Sequence, residues 1–175
     1  HYPLRRQRQM CIRDRKVAVA LVCLLPLGLQ AAKVDTLQVK SPSMNKSIEV
    51  VVVSPDMAAT EACPVIYLLH GYGGNARTWV GIKPDLPKIA DEKGIFFVCP
   101  DGKNTWYWDS PLNADVRYET FISNELVKYV DSHYKTVADR KGRAITGLSM
   151  GGHGAMWNGL RHSDVFSAAG STSGG

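Results

Sequence analysis

The sequence lacks the motifs of several large classes of protein. It has no phosphate-binding glycine loop, no nucleotide-binding fingerprint and no residues at metal-ligand spacing. It contains no internal repeat and no low-complexity linker. These absences argue against nucleotide-dependent and metal-dependent enzymes, and we expect a protein with no cofactor and no metal.

Most of the chain also lacks an excess of charge. The net charge is +5 at pH 7 and the pI is about 9.1, values that could suggest binding to nucleic acid or to anionic membranes. However, residues 1–16 hold six basic side chains and one acidic, which leaves 15 of each sign in the remaining sequence. The basic pI therefore carries no information on partners, and we expect no nucleic acid among them.

The N-terminal residues have the pattern of an export signal. Two basic residues precede an apolar run, 17–29, that is too short to span a bilayer, and two alanines follow. This order predicts a signal peptide over residues 16–32, cleaved after Ala31 or Ala32. Residues 1–15 are interpreted as a non-native or basic leader. We therefore expect a secreted or periplasmic protein with no membrane anchor after cleavage.

Two cysteines, Cys63 and Cys99, remain after the signal peptide, and export would permit a disulfide between them. Cys63 begins one predicted strand and Cys99 ends its predicted parallel neighbour. At about 3.3 Å per residue the two thiols are then about 15 Å apart, beyond the ~7 Å Cα separation that a disulfide tolerates. We expect both to be buried, unpaired thiols.

Strand-like and helix-like segments alternate along residues 33–175, which predicts one α/β domain with a mostly parallel sheet. Glu119 and Asp131, on the longest predicted helix, are expected to face water. The predicted strands are 34–39 and 48–54, joined as a hairpin, then 65–69, 95–98, 144–146 and 166–169. The predicted helices are 85–92, 116–134 and one that opens at 151.

Residues 147–151 read Gly-Leu-Ser-Met-Gly, the G-x-S-x-G pattern of a nucleophile elbow. A short apolar strand leads into the motif and a helix-forming run leads out of it, which is the context that such a strand-to-helix turn requires. The flanking glycines permit unusual backbone angles and a close approach of strand and helix. The pattern therefore predicts Ser149 as a nucleophile, with its hydroxyl exposed at the N-terminus of a helix.

Residues 70–74 read His-Gly-Tyr-Gly-Gly and directly follow the predicted strand 65–69. Acyl transfer places negative charge on the carbonyl oxygen, so main-chain N–H donors are needed near it. A glycine-rich loop after the third strand supplies one donor and the residue after the nucleophile supplies the other. We therefore predict an oxyanion hole formed by the main chains of Tyr72 and Met150. A plain tight turn is the alternative interpretation of this loop.

Residues 34–175 resemble the esterase family that includes feruloyl esterases, tributyrin esterases and S-formylglutathione hydrolases. The resemblance implies an α/β-hydrolase fold with helices on both faces of the sheet, and a serine ester hydrolase that forms a covalent acyl-enzyme on Ser149. The triad acid and histidine of that family come later in the chain, so the resemblance implies an N-terminal portion only. The stretches that carry it are Leu-Leu-His-Gly-Tyr-Gly-Gly (68–74), Pro-Asp-Gly (100–102), Trp106-Tyr107, Asn-Glu-Leu (124–126) and Ala-Ile-Thr-Gly-Leu-Ser-Met-Gly-Gly (144–152).

None of the histidines of the mature chain is expected to act as the general base for Ser149. His70 lies in the predicted oxyanion loop, and His153 lies on the nucleophile helix only four residues from the serine. His133 and His162 are expected at helix ends. A serine hydroxyl without a base is a poor nucleophile, so we expect this chain alone to be inactive.

The aromatic cluster Trp106-Tyr107-Trp108, together with Trp79, leaves two interpretations open: a substrate wall, or core packing. By resemblance, Trp106 and Tyr107 line the substrate pocket, which would suit an aryl or sugar ester. The alternative functions are acyl transfer of the mycolyltransferase type and a noncatalytic carbohydrate-binding module on the same fold. The intact motif around Ser149 argues against the binding module.

Overall fold

The computed structural model describes residues 32–175, so the predicted leader and nearly all of the predicted signal peptide lie outside the described residues. Six strands form one sheet: Lys33–Ser41 (β1), Lys46–Ser54 (β2), Val65–Leu69 (β3), Phe96–Pro100 (β4), Arg143–Leu148 (β5) and Ala168–Thr172 (β6). Their order is β1-β2-β4-β3-β5-β6. The pairs β1–β2 and β2–β4 are antiparallel and the other three are parallel. The predicted hairpin and mostly parallel sheet are confirmed.

Helices cover both faces of this sheet. They are Thr78–Ile82 (α1), which the sequence did not predict, Leu86–Lys93 (α2), Tyr118–Thr120 (α3), Val127–His133 (α4) and Met150–Arg161 (α5). Val51 and Val53 of β2 share a core with α2, whereas Val50 and Val52 share the opposite core with α4 and α5. This alternation follows from the pleat of a strand, which sends successive side chains to opposite faces. Between residues 32 and 175 no helix is both long enough and apolar enough to cross a membrane.

The predicted helix over 116–134 consists of three successive segments, because a π-helical stretch, Phe121–Leu126, joins α3 to α4. Within this stretch the hydroxyl of Ser123 donates to the carbonyl of Glu119 at 2.7 Å. Phe121 and Ile122, also in this stretch, lie in the core with no exposed surface. A single π-helical turn is too short to show a hydrophobic period, so the sequence pattern could not indicate it.

Glu119 is buried, although the sequence predicts that it faces water. Its carboxylate accepts hydrogen bonds from the Trp157 indole at 2.7 Å and from Arg161 and His162 at 2.8 Å each. Burial raises the pKa of this carboxyl, but the three hydrogen bonds outweigh burial and keep the pKa below its ordinary value. Asp131 is also half-buried rather than exposed. The prediction for both residues is wrong because their partners lie on other elements.

Cys63 and Cys99 are free and buried, which confirms the prediction of unpaired thiols. Cys63 lies just before β3, where its main chain forms an isolated parallel β-bridge with that of Thr136. Cys99 lies within β4. Burial raises the pKa of the Cys99 thiol to about 12. The thiol therefore stays neutral at physiological pH and packs as a small hydrophobic side chain.

The last strand, β6, starts two residues later than predicted. Phe166, which was expected to open the strand, is instead buried in the core with its ring edge-on to Tyr67 at 5.7 Å. The residues that pair with β5 are small ones, and α5 packs closely over them because Gly159 has no Cβ to collide with Ala169. The apolar Phe166 therefore does not belong to β6 but packs in the core just before the strand begins.

Candidate active site

Ser149 forms the turn between β5 and α5. Its φ of 52° and ψ of −118° lie in a region that residues with a side chain rarely adopt. Its N–H donates to the carbonyl of Thr172 at 2.8 Å, and its carbonyl accepts from the N–H of His153 at 3.0 Å. The residue is exposed at the N-terminus of a 12-residue helix, whose dipole favours negative charge there. The strained strand-to-helix turn predicted around Ser149 is therefore present.

The two glycines of the motif are required by close backbone contact. A Cβ on Gly147 would lie 2.7 Å from the carbonyl oxygen of Leu69, and a Cβ on Gly151 would lie 2.6 Å from the carbonyl oxygen of His70. These obstructing atoms belong to the main chain, so they cannot move away as a flexible side chain would. The turn at Ser149 is thus pressed against the end of β3.

The loop after β3 makes a tight turn over residues 71–74. The N–H of Gly74 donates to the carbonyl of Gly71 at 3.0 Å, and Gly73 has a φ of 76°, as a type II turn requires. The N–H of Gly73 donates to the side-chain oxygen of Asn104 at 2.8 Å. A Cβ on Gly71 would lie 3.6 Å from the Cβ of Ser149, so this loop lies directly beside the serine.

The two N–H groups predicted as oxyanion donors belong to Tyr72 in this loop and Met150 at the first position of α5. Among the hydrogen bonds formed within residues 32–175, neither of these N–H groups has an acceptor. Both N–H groups thus belong to segments that adjoin Ser149, and their role as oxyanion donors stays a prediction.

His70 supports the loop from the interior, with 1% of its surface exposed. Its Nε2 accepts the N–H of Gly102 at 2.9 Å, so the ring proton is on Nδ1, which donates to the carbonyl of Gly71 at 2.7 Å. Both ring nitrogens thus bond to main-chain groups, and the Asp101 Oδ1 lies 3.5 Å from Nε2. Among the described residues neither ring nitrogen of His70 is hydrogen-bonded to the Ser149 hydroxyl.

The loop that follows β4 contains Trp106 and Tyr107, with φ values of 57° and 58°. Tyr107 has no exposed surface. Its hydroxyl donates to the carbonyl of His70 at 3.1 Å, and its own carbonyl accepts from the side chain of Asn158 at 3.0 Å. The prediction that Tyr107 lines the substrate pocket does not fit this position, because its ring is enclosed by the core. Trp106 is 39% exposed and can still contact a substrate.

The other aromatic residues of the cluster divide between surface and interior. Trp108 is 44% exposed. Trp79 is half-buried against the core on the opposite face of the sheet, and its buried indole N–H has no partner among residues 32–175. The Trp106 ring meets the His153 ring edge-on at 5.3 Å. The core interpretation therefore applies to Tyr107 and Trp79, whereas the substrate wall stays a prediction for the exposed Trp106 and Trp108.

The other described histidines also have partners away from the serine hydroxyl. His133 binds the carbonyl of Tyr129 at 2.8 Å on α4, and His162 binds Glu119. The Nδ1 of His153 lies 3.0 Å from the carbonyl oxygen of Gly175. Within the part of the chain that the structure describes, no hydrogen bond joins a histidine to the Ser149 hydroxyl.

A cavity of about 230 Å³ lies beside α5 and is lined by residues of that helix together with Ser171, Gly174 and Gly175, and neither Ser149 nor Trp106 lines it. Over residues 32–175 no group of three or more His, Cys, Asp or Glu side chains could hold a metal ion. The chemistry available here is that of a serine, two N–H donors and a helix N-terminus.

The sequence interpretation missed two asparagines that support the site. Asn104 accepts from the oxyanion loop, and Asn158, which is fully buried within α5, donates to the carbonyls of Gly154 and Tyr107. Asn104 lies in a polar turn, where asparagine is common, so the sequence does not indicate its role. Asn158 could have been noticed, since a helix interior disfavours asparagine unless its side chain has partners.

Comparisons with known proteins agree with this geometry. The family model described as "Putative esterase" matches residues 41–175. Esterase Rv1288 of Mycobacterium tuberculosis is 30% identical over 144 residues, which are 78% of this chain and 31% of that protein. The chain spans about a third to a half of the length of the curated relatives it matches.

Solved structures of related proteins have the same fold. A ferulic acid esterase superposes with a TM-score of 0.67 at 32% identity, over 79% of this chain and 61% of that one. MPT51 of Mycobacterium tuberculosis superposes with a TM-score of 0.70 at 28% identity, over 82% of this chain and 52% of that one. The predicted α/β-hydrolase fold is thereby confirmed.

Proposed function

Because the chain belongs to the esterase family whose model covers residues 41–175, we propose that the full-length protein is a serine hydrolase that cleaves carboxylic esters through an acyl-enzyme on Ser149. The observation that carries the proposal is the backbone of Ser149, which is strained, fixed on both sides and exposed beside two unpartnered N–H groups. Strain of this kind persists only where the surrounding structure imposes it.

In the proposed reaction, the Ser149 Oγ attacks the carbonyl carbon of the ester and its proton passes to a base. Negative charge then develops on the carbonyl oxygen, which the N–H groups of Tyr72 and Met150 stabilise. The C–O bond to the alcohol breaks, the base returns the proton to the leaving alcohol, and the acyl group stays on Ser149. Water, deprotonated by the same base, attacks the acyl-enzyme and releases the acid.

We further propose that the base is a histidine outside residues 32–175. Support comes from the histidine partners described above, none of which is the Ser149 hydroxyl. The relatives are also two to three times as long as the matched region, which leaves ample sequence for a base and an acid.

For the substrate, we propose an aryl or sugar-linked ester. Trp106 and Trp108 are exposed on the loop after β4, and aromatic side chains suit both aryl groups and sugar rings. The likeness to a ferulic acid esterase supports an aryl acid.

Transfer of the acyl group to a sugar hydroxyl instead of water is the second candidate. The match to the MPT51 antigen, at 31% identity over 83% of this chain, is compatible with it. Both reactions share the acyl-enzyme and differ in the acceptor. A product assay that offers water and a sugar together distinguishes them, because only transfer yields an acylated sugar.

The acyl-enzyme is tested by labelling the full-length protein with a fluorophosphonate probe, which reacts with activated serines. We expect labelling of the wild type, none of Ser149→Ala, and a loss of ester turnover of about 10⁴-fold or more in that variant. Ser173→Ala is a matched control, since Ser173 is also an exposed serine with a positive φ, and it should label like the wild type. Undiminished labelling of Ser149→Ala would refute the assignment.

Export is proposed from the pattern of residues 16–32. Fractionation of the natural host should find the protein in the periplasm or medium, shortened by the signal peptide. An uncleaved protein confined to the cytoplasm would contradict the proposal.

A further inference from the structure

Tyr107 occupies an enclosed slot between the start of the loop after β4 and helix α5. Its ring lies between Gly102 and Gly154, and a Cβ on either glycine would overlap it, with 2.7 Å separating a Cβ on Gly154 from the Cβ of Tyr107. Trp106 and Tyr107 both have positive φ values, although neither is a glycine. Residues with a side chain adopt such a conformation only at a cost in strain. The slot and the strained backbone together fix Tyr107 in a single orientation.

Each polar group of Tyr107 that forms a hydrogen bond reaches a different part of the site. The hydroxyl donates to the carbonyl of His70, the residue at the base of the oxyanion loop. The carbonyl accepts from Asn158 on α5, the helix whose first residue is Met150. Burial raises the pKa of Tyr107 well above its ordinary value, so the hydroxyl keeps its proton and remains a donor.

We infer that Tyr107 is a positioning residue, which holds the loop bearing the Tyr72 N–H and the helix bearing the Met150 N–H at a fixed separation. The connection runs from Asn158 through Tyr107 to His70, and from the His70 Nδ1 to the carbonyl of Gly71. The inference rests on the proposed function, because it concerns the oxyanion hole of that reaction. Tyr107 touches no reacting atom and acts through His70.

Geometry explains why this link should affect the rate rather than substrate binding. An oxyanion donor works only when it is about 3 Å from the position that the oxygen occupies in the transition state. A small displacement of one donor weakens that contact, while contacts with the rest of the substrate stay unchanged. Loss of the Tyr107 hydroxyl should therefore lower kcat and leave KM nearly constant.

The test compares Tyr107→Phe with Tyr67→Phe in the full-length protein. Tyr67 is an equally buried tyrosine on β3, but its hydroxyl has no partner among the described residues, so Tyr67→Phe removes a buried hydroxyl without breaking the link. Turnover of an aryl ester is measured at a temperature where both variants are folded by circular dichroism. The measured rate is divided by the concentration of protein whose serine reacts with a fluorophosphonate, which gives kcat per reactive serine.

For Tyr107→Phe we expect kcat per reactive serine to fall about tenfold, with KM within about twofold of the wild type. For Tyr67→Phe, both kcat per reactive serine and KM should stay within about twofold of the wild-type values. An unchanged kcat for Tyr107→Phe, an equal loss in Tyr67→Phe, or failure of Tyr107→Phe alone to fold would each overturn the inference. If the wild type has no turnover that depends on Ser149, the proposed function itself fails, which is a distinct result.

Discussion

The two glycine-rich segments that meet at Ser149 are held in place in different ways. Residues 147–151 are fixed by contact, since a Cβ on Gly147 or Gly151 would overlap main-chain atoms. In residues 71–74 the Gly73 N–H donates to the side chain of Asn104, the Gly71 carbonyl accepts from His70, and a Cβ on Gly73 would meet nothing within 4 Å. The turn at the nucleophile is thus locked by contact with the main chain of β3, whereas the tip of the other turn, at Gly73, is held by hydrogen bonds and not by contact.

The strongest test of the steric lock is Gly151→Ala. The added methyl group would overlap the carbonyl groups of Leu69 and His70, and main-chain atoms of a central strand cannot yield easily. We expect the free energy of unfolding to fall by about 3 kcal/mol or more, or no folded protein at all.

Gly81→Ala is the control for this variant, because Gly81 lies in α1 and a Cβ there would meet nothing within 4 Å. Its stability should change by less than about 1 kcal/mol. Urea denaturation of both full-length variants gives the comparison. Equal midpoints for the two variants would show that residues 147–151 are not locked by contact.

Gly73→Ala should have a smaller effect, since its only cost is the positive φ of 76°. We expect a loss of about 1 kcal/mol in the free energy of unfolding, measured in the same urea titrations. A loss as large as that of Gly151→Ala would mean that the oxyanion loop is also sterically locked, and the comparison between the two segments would fail.

The smallest change in stability is expected for Asn104→Ala. The hydrogen bond to the Gly73 N–H is exposed, so its removal should lower the free energy of unfolding by about 1 kcal/mol or less. Turnover should nevertheless fall several-fold, because the bond orients the loop beside Ser149.

Asn113→Ala provides the matched control for Asn104→Ala. Asn113 is likewise exposed and accepts a main-chain N–H, that of Asp115, and among the described residues its loop forms no hydrogen bond with residues 71–74. Turnover and thermal unfolding are measured on both variants. Equal turnover in the two variants would show that the hydrogen bond to Asn104 is not needed to orient residues 71–74.

The sequence could predict the features that are encoded locally. The valines of β2 alternate between the two cores as a pleated strand requires, and the pattern around Ser149 specifies its own turn. Residues whose surroundings come from distant segments could not be predicted. Glu119 is buried by a partner 38 residues away on α5, and Tyr107 is held by one 51 residues away. Neither burial has a signature in the neighbouring sequence.

The bond from the Ser149 N–H to the carbonyl of Thr172 makes the nucleophile and β6 part of one cooperative unit. In the described sheet, β6 pairs with β5 alone, so its pairing is the more easily opened part of this edge. Any fluctuation that releases the end of β6 also frees the Ser149 amide. The amide hydrogens of Ser149 and of β6 should therefore exchange with solvent at a common opening free energy, and whatever partner stabilises β6 also stabilises the orientation of the serine.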